Sequence, residues 1–119
     1  MEQKVILLVD DDPDIREALA DRLADAHYRV LTARSGAEAL QHIDRGSIDG
    51  VLLDIRMPGM DGVAVLTHMR QRHANIPVIV VTASMEKDKL QAVMKVGAAD
   101  VVTKPVSYGD LLFKIKRHF

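Results

Sequence analysis

Short β-branched or leucine-rich runs alternate along this chain with longer amphipathic segments, five of each, and that rhythm leaves few ways to bury the apolar surface. The runs are residues 5–9, 28–33, 50–53, 78–82 and 101–103. Strand followed by helix, repeated without interruption, is the pattern of a parallel sheet covered by helices. The first, third and fourth runs are almost continuously apolar, as strands covered on both faces are. The second is more mixed and suits a sheet edge.

The intervening segments carry helix start and stop signals. Asp12 before Pro13 suits an N-cap and first helical residue, and Ile15, Ala18, Leu19, Leu23 and Ala26 then recur on one face. Ser35 with Glu38 has the spacing of a capping box, and Gly46 fits the end of that helix. Asp61 is placed to cap a third helix that carries Val63, Leu66 and Met69 inward. A fourth helix over about residues 85–96 ends at Gly97. Ser107 with Asp110 starts a fifth, whose inward positions are Leu111, Leu112, Ile115 and Phe119. With right-handed crossovers, the predicted fold is α/β: a doubly wound, five-stranded parallel sheet with five helices, in the flavodoxin-like order 2-1-3-4-5.

At 119 residues the chain is of single-domain size, and its net charge of -1 supplies no sequence-independent attraction to nucleic acid or anionic lipid. There is no cysteine, hence no disulfide framework and no thiolate metal site; this fits a cytoplasmic protein. No apolar run approaches the ~20 residues of a membrane-spanning helix, and the N-terminus lacks a signal-peptide pattern.

In such a sheet, ligands bind beyond the carboxyl ends of the strands, where the strand order reverses. Strand one ends in Asp10, Asp11 and Asp12, strand three in Asp54, strand four in Thr82, and strand five in Lys104 followed by Pro105. Carboxylates from strands one and three therefore converge, with a hydroxyl and an ammonium beside them. Clustered carboxylates raise one another's proton affinity unless a cation joins them, and an oxygen-only donor set selects a hard ion such as Mg²⁺. The chemistry this permits is phosphoryl transfer to a carboxylate, with the metal ion and Lys104 offsetting charge on the phosphoryl oxygens and Thr82 donating to one of them. Met57, Pro58, Gly59 and Met60 supply turn chemistry beside the acceptor, a segment able to admit a donor.

Four segments carry a family resemblance: Val9-Asp10-Asp11-Asp12, Leu53-Asp54-Ile55-Arg56-Met57-Pro58, Val81-Thr82-Ala83 and Thr103-Lys104-Pro105. In order and spacing the chain resembles the receiver domain of bacterial two-component response regulators, from about Lys4 to its C-terminus. The resemblance implies one receiver domain over residues 1–119, with Asp54 accepting a phosphoryl group from a sensor histidine kinase or a histidine phosphotransfer protein. It implies Mg²⁺ held by Asp10, Asp11, Asp54 and the backbone carbonyl of Arg56, with Asp11 direct and Asp10 through water. Thr82 and Lys104 would contact the phosphoryl group, and the Lys104–Pro105 peptide would be cis. Arg56, Ala83, Ser84 and Val101 would modulate phosphoryl lifetime or the coupling to output. That output would run through the fourth helix, fifth strand and fifth helix, to a partner, a further domain or a phosphorylation-dependent dimer. Direct binding of nucleic acid or membrane by this domain is not implied.

For Asp12 a helix cap is a full explanation, and the five histidines show no ligand spacing. Lys87, Lys89 and Lys95 read equally as a solvated helix face or as a partner contact. The alternative function is a pseudo-receiver, the same fold used as an interaction module without phosphorylation. An aspartyl-phosphate phosphatase would need a substrate cap for which 119 residues leave little room. A nucleotide-binding module is rejected because no glycine-rich loop follows strand one.

Overall fold

A computed structural model describes residues 3–56, 62–73, 75–83 and 86–119. Its elements are β1 (Val5–Val9), α1 (Pro13–Asp25), β2 (Arg29–Ala33), α2 (Gly36–Arg45), β3 (Gly50–Asp54), α3 (Gly62–Arg72), β4 (Val78–Thr82), α4 (Lys87–Val96), β5 (Asp100–Thr103) and α5 (Tyr108–His118). The strands form one sheet in the order β2-β1-β3-β4-β5, every pair parallel, as the alternation predicts. β3 and β4 are buried along their whole length, whereas β2, at an edge, is only partly covered. That contrast is why apolar continuity in sequence marks the central strands and mixture marks the edge.

Alternate residues of each strand feed two cores, because successive side chains point to opposite faces. Leu7, Val9, Val51, Leu53, Val78 and Val80 pack with Ala39, Ile43, Val65, Leu66, Met69 and Val93 of α2, α3 and α4. Ile6, Leu8, Leu52, Ile79, Val81 and Val102 pack with Leu19, Leu23, Leu111 and Ile115 of α1 and α5. Across the second layer the Tyr108 hydroxyl donates to the Arg22 carbonyl at 2.8 Å, with the Arg22 guanidinium 5.0 Å from the ring centroid.

The caps follow the sequence signals. Asp12 accepts from the backbone N–H of Asp14 and Ile15, Ser35 from that of Glu38, and Ser107 from that of Asp110. Gly97 ends α4 at φ 124°, a backbone region where a side chain would be strained. Gly62 opens α3 against the backbone of Asp54 and Ile55, too close to leave room for a Cβ, and its N–H donates to the Ile55 carbonyl at 2.9 Å.

Some boundaries and faces differ from the sequence reading. β2 begins at Arg29, one residue late, and β5 begins at Asp100, one early. Ala18 is exposed because α1 buries a narrow stripe of Leu19 and Leu23, and Val65 joins Leu66 and Met69 inside. The Asp61 cap, the turn of residues 57–60, Ser84 and the expected start of the fourth helix at Met85 lie outside the described residues. Among the described residues no helix is long and apolar enough to cross a membrane.

Candidate functional site

Parallel register brings the strand ends together. Val9 pairs with Leu53, so Asp10 and Asp54 leave β1 and β3 side by side. Asp54 pairs with Val81 and Thr82 with Thr103, which sets Thr82 and Lys104 at the same end of the sheet. The order reverses between β1 and β3, so this end is the switch point. Asp10, Asp54 and Thr82 are also the buried polar residues of the described chain, at 2%, 5% and 2% exposure. Burying ionisable groups costs folding free energy unless they are paired, so their concentration at one strand end marks a place built for something other than stability.

The Lys104 ammonium bridges two of these carboxylates, 3.0 Å from Asp10 Oδ2 and 3.2 Å from Asp54 Oδ2. Asp54 Oδ1 accepts from the Arg56 backbone N–H at 3.0 Å, and Asp10 Oδ1 from that of Asp12 at 2.9 Å. Burial pushes the Asp54 carboxyl above its ordinary value; the Arg56 N–H and the Lys104 charge act against this, and the negative charge of Asp10 reinforces it. For Lys104, burial opposes the charged form, but the hydrogen bond to Asp10 and the charges of Asp54 and Asp10 outweigh it and raise the ammonium's pKa. Asp54 and Lys104 thus both hold a proton more tightly than usual, Asp54 chiefly through burial and Lys104 through the carboxylates beside it.

Asp11 completes the cluster. Oxygens of Asp10, Asp11 and Asp54 lie within 4.8 Å of one another. Lys104 is ion-paired with Asp10 and Asp54 and not with Asp11, so the three carboxylates outnumber the ammonium that pairs with them, a deficit a divalent cation would fill. The donor set is all oxygen, without histidine or cysteine, and so fits a hard ion. Its members are not equivalent. Both oxygens of Asp10 are already engaged by N–H donors, whereas Asp11 is exposed and its carboxylate has no hydrogen-bond partner among the described residues.

The other residues singled out in the sequence are placed as follows. Arg56 and Ala83 are exposed beside the strand ends, and Ser84 lies outside the described residues. Val101 is half-buried against the core of α2, α3 and α4. The Lys104–Pro105 peptide is cis. Asp12 caps α1 and takes no place in the acid cluster. The histidines stand apart from it: His68 and His73 face Asp44, and His118 faces Asp100. Sequence reasoning missed Arg16, whose Nη1 donates to the Asp10 carbonyl at 2.8 Å. Its signal was a cation in the first turn of α1, where the helix dipole disfavours positive charge.

Comparison with known proteins agrees with this geometry. A family model for the response regulator receiver domain matches residues 6–116. The DNA-binding transcriptional regulator NtrC of Escherichia coli (strain K12) is 38% identical over 117 residues, 98% of this chain and 25% of its own length. The chain thus spans about a quarter of the length of that curated relative. Among solved structures, chemotaxis protein CheY4 of Vibrio cholerae superposes with a TM-score of 0.94 at 30% identity, covering 99% of this chain and 100% of that one. Response regulator protein TrrA of Thermotoga maritima, solved in complex with Mg(2+)-BeF, gives a TM-score of 0.89 at 36% identity over 98% and 100% of the two chains.

Proposed function

This chain belongs to the response regulator receiver family, and on that premise we propose that Asp54 is the carboxylate on which it takes up a phosphoryl group. It is a phosphoacceptor signalling module, not an enzyme that turns over an external substrate. The observation that carries the assignment of the acceptor is the Lys104 bridge to Asp10 and Asp54. A buried carboxylate at the end of a central strand, held on one oxygen by a backbone N–H and on the other by an ammonium, is fixed in direction as a nucleophile should be.

In the step we propose, one Asp54 oxygen forms a bond to phosphorus as the P–N bond to a donor's phosphohistidine breaks. The bonding pair leaves with the imidazole, and the product is an acyl phosphate on Asp54. Lys104 would follow the negative charge from the carboxylates to the phosphoryl oxygens, and Thr82, buried at the end of β4, would donate to one of them. Asp10, Asp11 and Asp54, with the carbonyl of Arg56, would hold Mg²⁺, which when bound offsets charge on the transferring group. The Mg(2+)-BeF complex of TrrA supports that choice of ion.

The donor would be a sensor histidine kinase or a histidine phosphotransfer protein of the cytoplasm. Output would pass through the α4–β5–α5 face to a partner, a further domain or a second receiver. The exposed Met94 of α4 and Phe113 of α5, at 45% and 64% exposure, support an apolar contact there. Residues 1–119 would act as a single receiver unit. The test is labelling with acetyl phosphate in Mg²⁺: the parent is labelled once and self-limits, and Asp54→Asn is not. Undiminished labelling of the Asn variant would place the acceptor elsewhere. No beryllofluoride response in the parent would favour the unphosphorylated pseudo-receiver.

A further inference from the structure

We infer that Arg16 is a positioning residue for the cation site: it fixes the peptide between Asp10 and Asp11 and so pre-orients the Asp11 carboxylate. The inference rests on the reading that Asp10, Asp11 and Asp54 hold a divalent cation.

The polar groups of Asp10 are each satisfied by a different part of the fold. Its N–H donates to the Ala33 carbonyl of β2 at 3.1 Å, Oδ1 accepts from the Asp12 N–H, Oδ2 accepts from Lys104, and the carbonyl accepts from Arg16. The first continues the β1–β2 ladder and the second closes a local turn. The third belongs to a lysine shared with Asp54 and expected to turn toward the phosphoryl group. The Arg16 bond is therefore the side-chain contact on Asp10 that does not depend on where Lys104 turns, and it acts on the peptide plane from which Asp11 departs. Asp11 needs such help, because its carboxylate has no partner of its own among the described residues. A ligand loosely held before binding loses more conformational freedom when the ion arrives, so fixing its backbone raises affinity without any contact to the ion.

The placement of Arg16 runs against two simpler expectations. A cation in the first turn of a helix opposes the macrodipole, so its presence there calls for a local gain. A positive charge beside a cation site also repels the ion. If Arg16 acted through charge alone, removing it would tighten Mg²⁺ binding; if it acts by positioning, removal loosens it. The two roles predict opposite signs.

The experiment is a Mg²⁺ titration of the phosphate-free protein, read by calorimetry and by the backbone amide shifts of residues 10–12, in the parent, Arg16→Gln, Arg16→Lys and Asp11→Asn. Glutamine is too short to reach the Asp10 carbonyl, and Arg16→Gln is expected to weaken Mg²⁺ about 10-fold, with a metal-free melting temperature near the parent's. Arg16→Lys, which keeps the charge and a donor but not the planar fork, is expected to lose about 3-fold. Parental or tighter affinity in Arg16→Gln overturns the proposal. If that variant does not fold, Arg16→Lys decides, since a 2-fold or greater loss supports positioning and parental affinity overturns it. Asp11→Asn separates the two readings: if it binds Mg²⁺ as the parent does, the ligand assignment has failed, whatever Arg16 does.

Discussion

Two ionic clusters sit on neighbouring parts of this molecule, and they are built on opposite terms. At the carboxyl end of β1 and β3, Asp10, Asp11 and Asp54 cluster around a single ammonium, that of Lys104, which is ion-paired with Asp10 and Asp54. Between β5 and α5, Asp100 faces both Lys114 and His118 and Asp110 faces Lys114, with Asp100 Oδ2 3.0 Å from the His118 Nε2 and Lys114 3.5 Å from each carboxylate. The first cluster is largely buried and short of partners; the second is half-exposed, and each of its carboxylates has one. Their carboxyls shift in opposite directions, Asp54 upward chiefly through burial and Asp100 downward because its hydrogen bonds and the Lys114 charge outweigh burial. The second cluster also clamps backbone: the Val101 N–H donates to Asp100 Oδ1 and the Lys114 ammonium donates to the Val101 carbonyl, both at 2.8 Å. A cluster that satisfies itself holds a strand in place. A cluster that cannot is where we propose that a cation and a phosphoryl group bind.

Removing one carboxylate from each should therefore act in opposite directions, and the larger effect belongs to the first. Asp54→Asn is expected to abolish labelling by acetyl phosphate and to stabilise the metal-free protein by about 1–2 kcal/mol, because Lys104 then faces Asp10 with less competition. Urea unfolding in chelator checks the second part, and destabilisation by this change would break the contrast. Mg²⁺ should stabilise the parent by mass action, about 1.4 kcal/mol at ten times its dissociation constant, with a much smaller gain in Asp54→Asn. Equal gains in both proteins would remove Asp54 from the cation site.

Much of the first cluster was legible in the sequence, and little of the second. Asp10, Asp54, Thr82 and Lys104 stand at the ends of strands, and parallel pairing carries every strand end to one edge of the sheet. Once alternation gave the strand order, their convergence followed from topology. The caps at Asp12, Ser35 and Ser107 are local and were equally readable. Arg16 was not, since its partner is a backbone carbonyl six residues back, reached by a long side chain. Nor was the meeting of Asp100 with Lys114 and His118, which depends on how α5 lies against β5 and on the rotamers of extended side chains. The exposed Ala18 shows a further limit: a helical stripe in sequence gives the direction of the buried face but not its width.

Between these effects in size lies the lifetime of the acyl phosphate. The Arg56 side chain is exposed, while its N–H holds Asp54 Oδ1. We expect Arg56→Ala to speed loss of phosphate about 3-fold by opening the path of water, with Mg²⁺ affinity little changed because the backbone remains. A lifetime equal to or longer than the parent's would confine the role of this residue to its main chain.

The smallest effect tests the Asp100 cluster by pH. Burial alone would raise the Asp100 carboxyl, but the Val101 N–H, the hydrogen bond from His118 and the Lys114 ammonium together hold it below its ordinary value. A carboxyl with a depressed folded-state pKa binds its proton more weakly folded than unfolded. Its contribution to stability is therefore present above the unfolded value and is lost as pH falls through the folded one. Asp100→Asn should destabilise the protein by about 0.5–1 kcal/mol near neutral pH, a modest figure because the lysine and histidine partners remain partly in solvent. The gap between parent and variant should hold down to about pH 5 and then close as the solution is acidified through the ordinary carboxyl value of 3.8 and below it, as the parent's carboxylate takes up its proton. Urea unfolding across that range in chelator, with Asp54→Asn as the common background, isolates the effect from the acid cluster at the other site. A gap that stays constant would mean that Asp100 acts through packing and backbone geometry and not through its charge, and the contrast between the two clusters would then rest on the first alone.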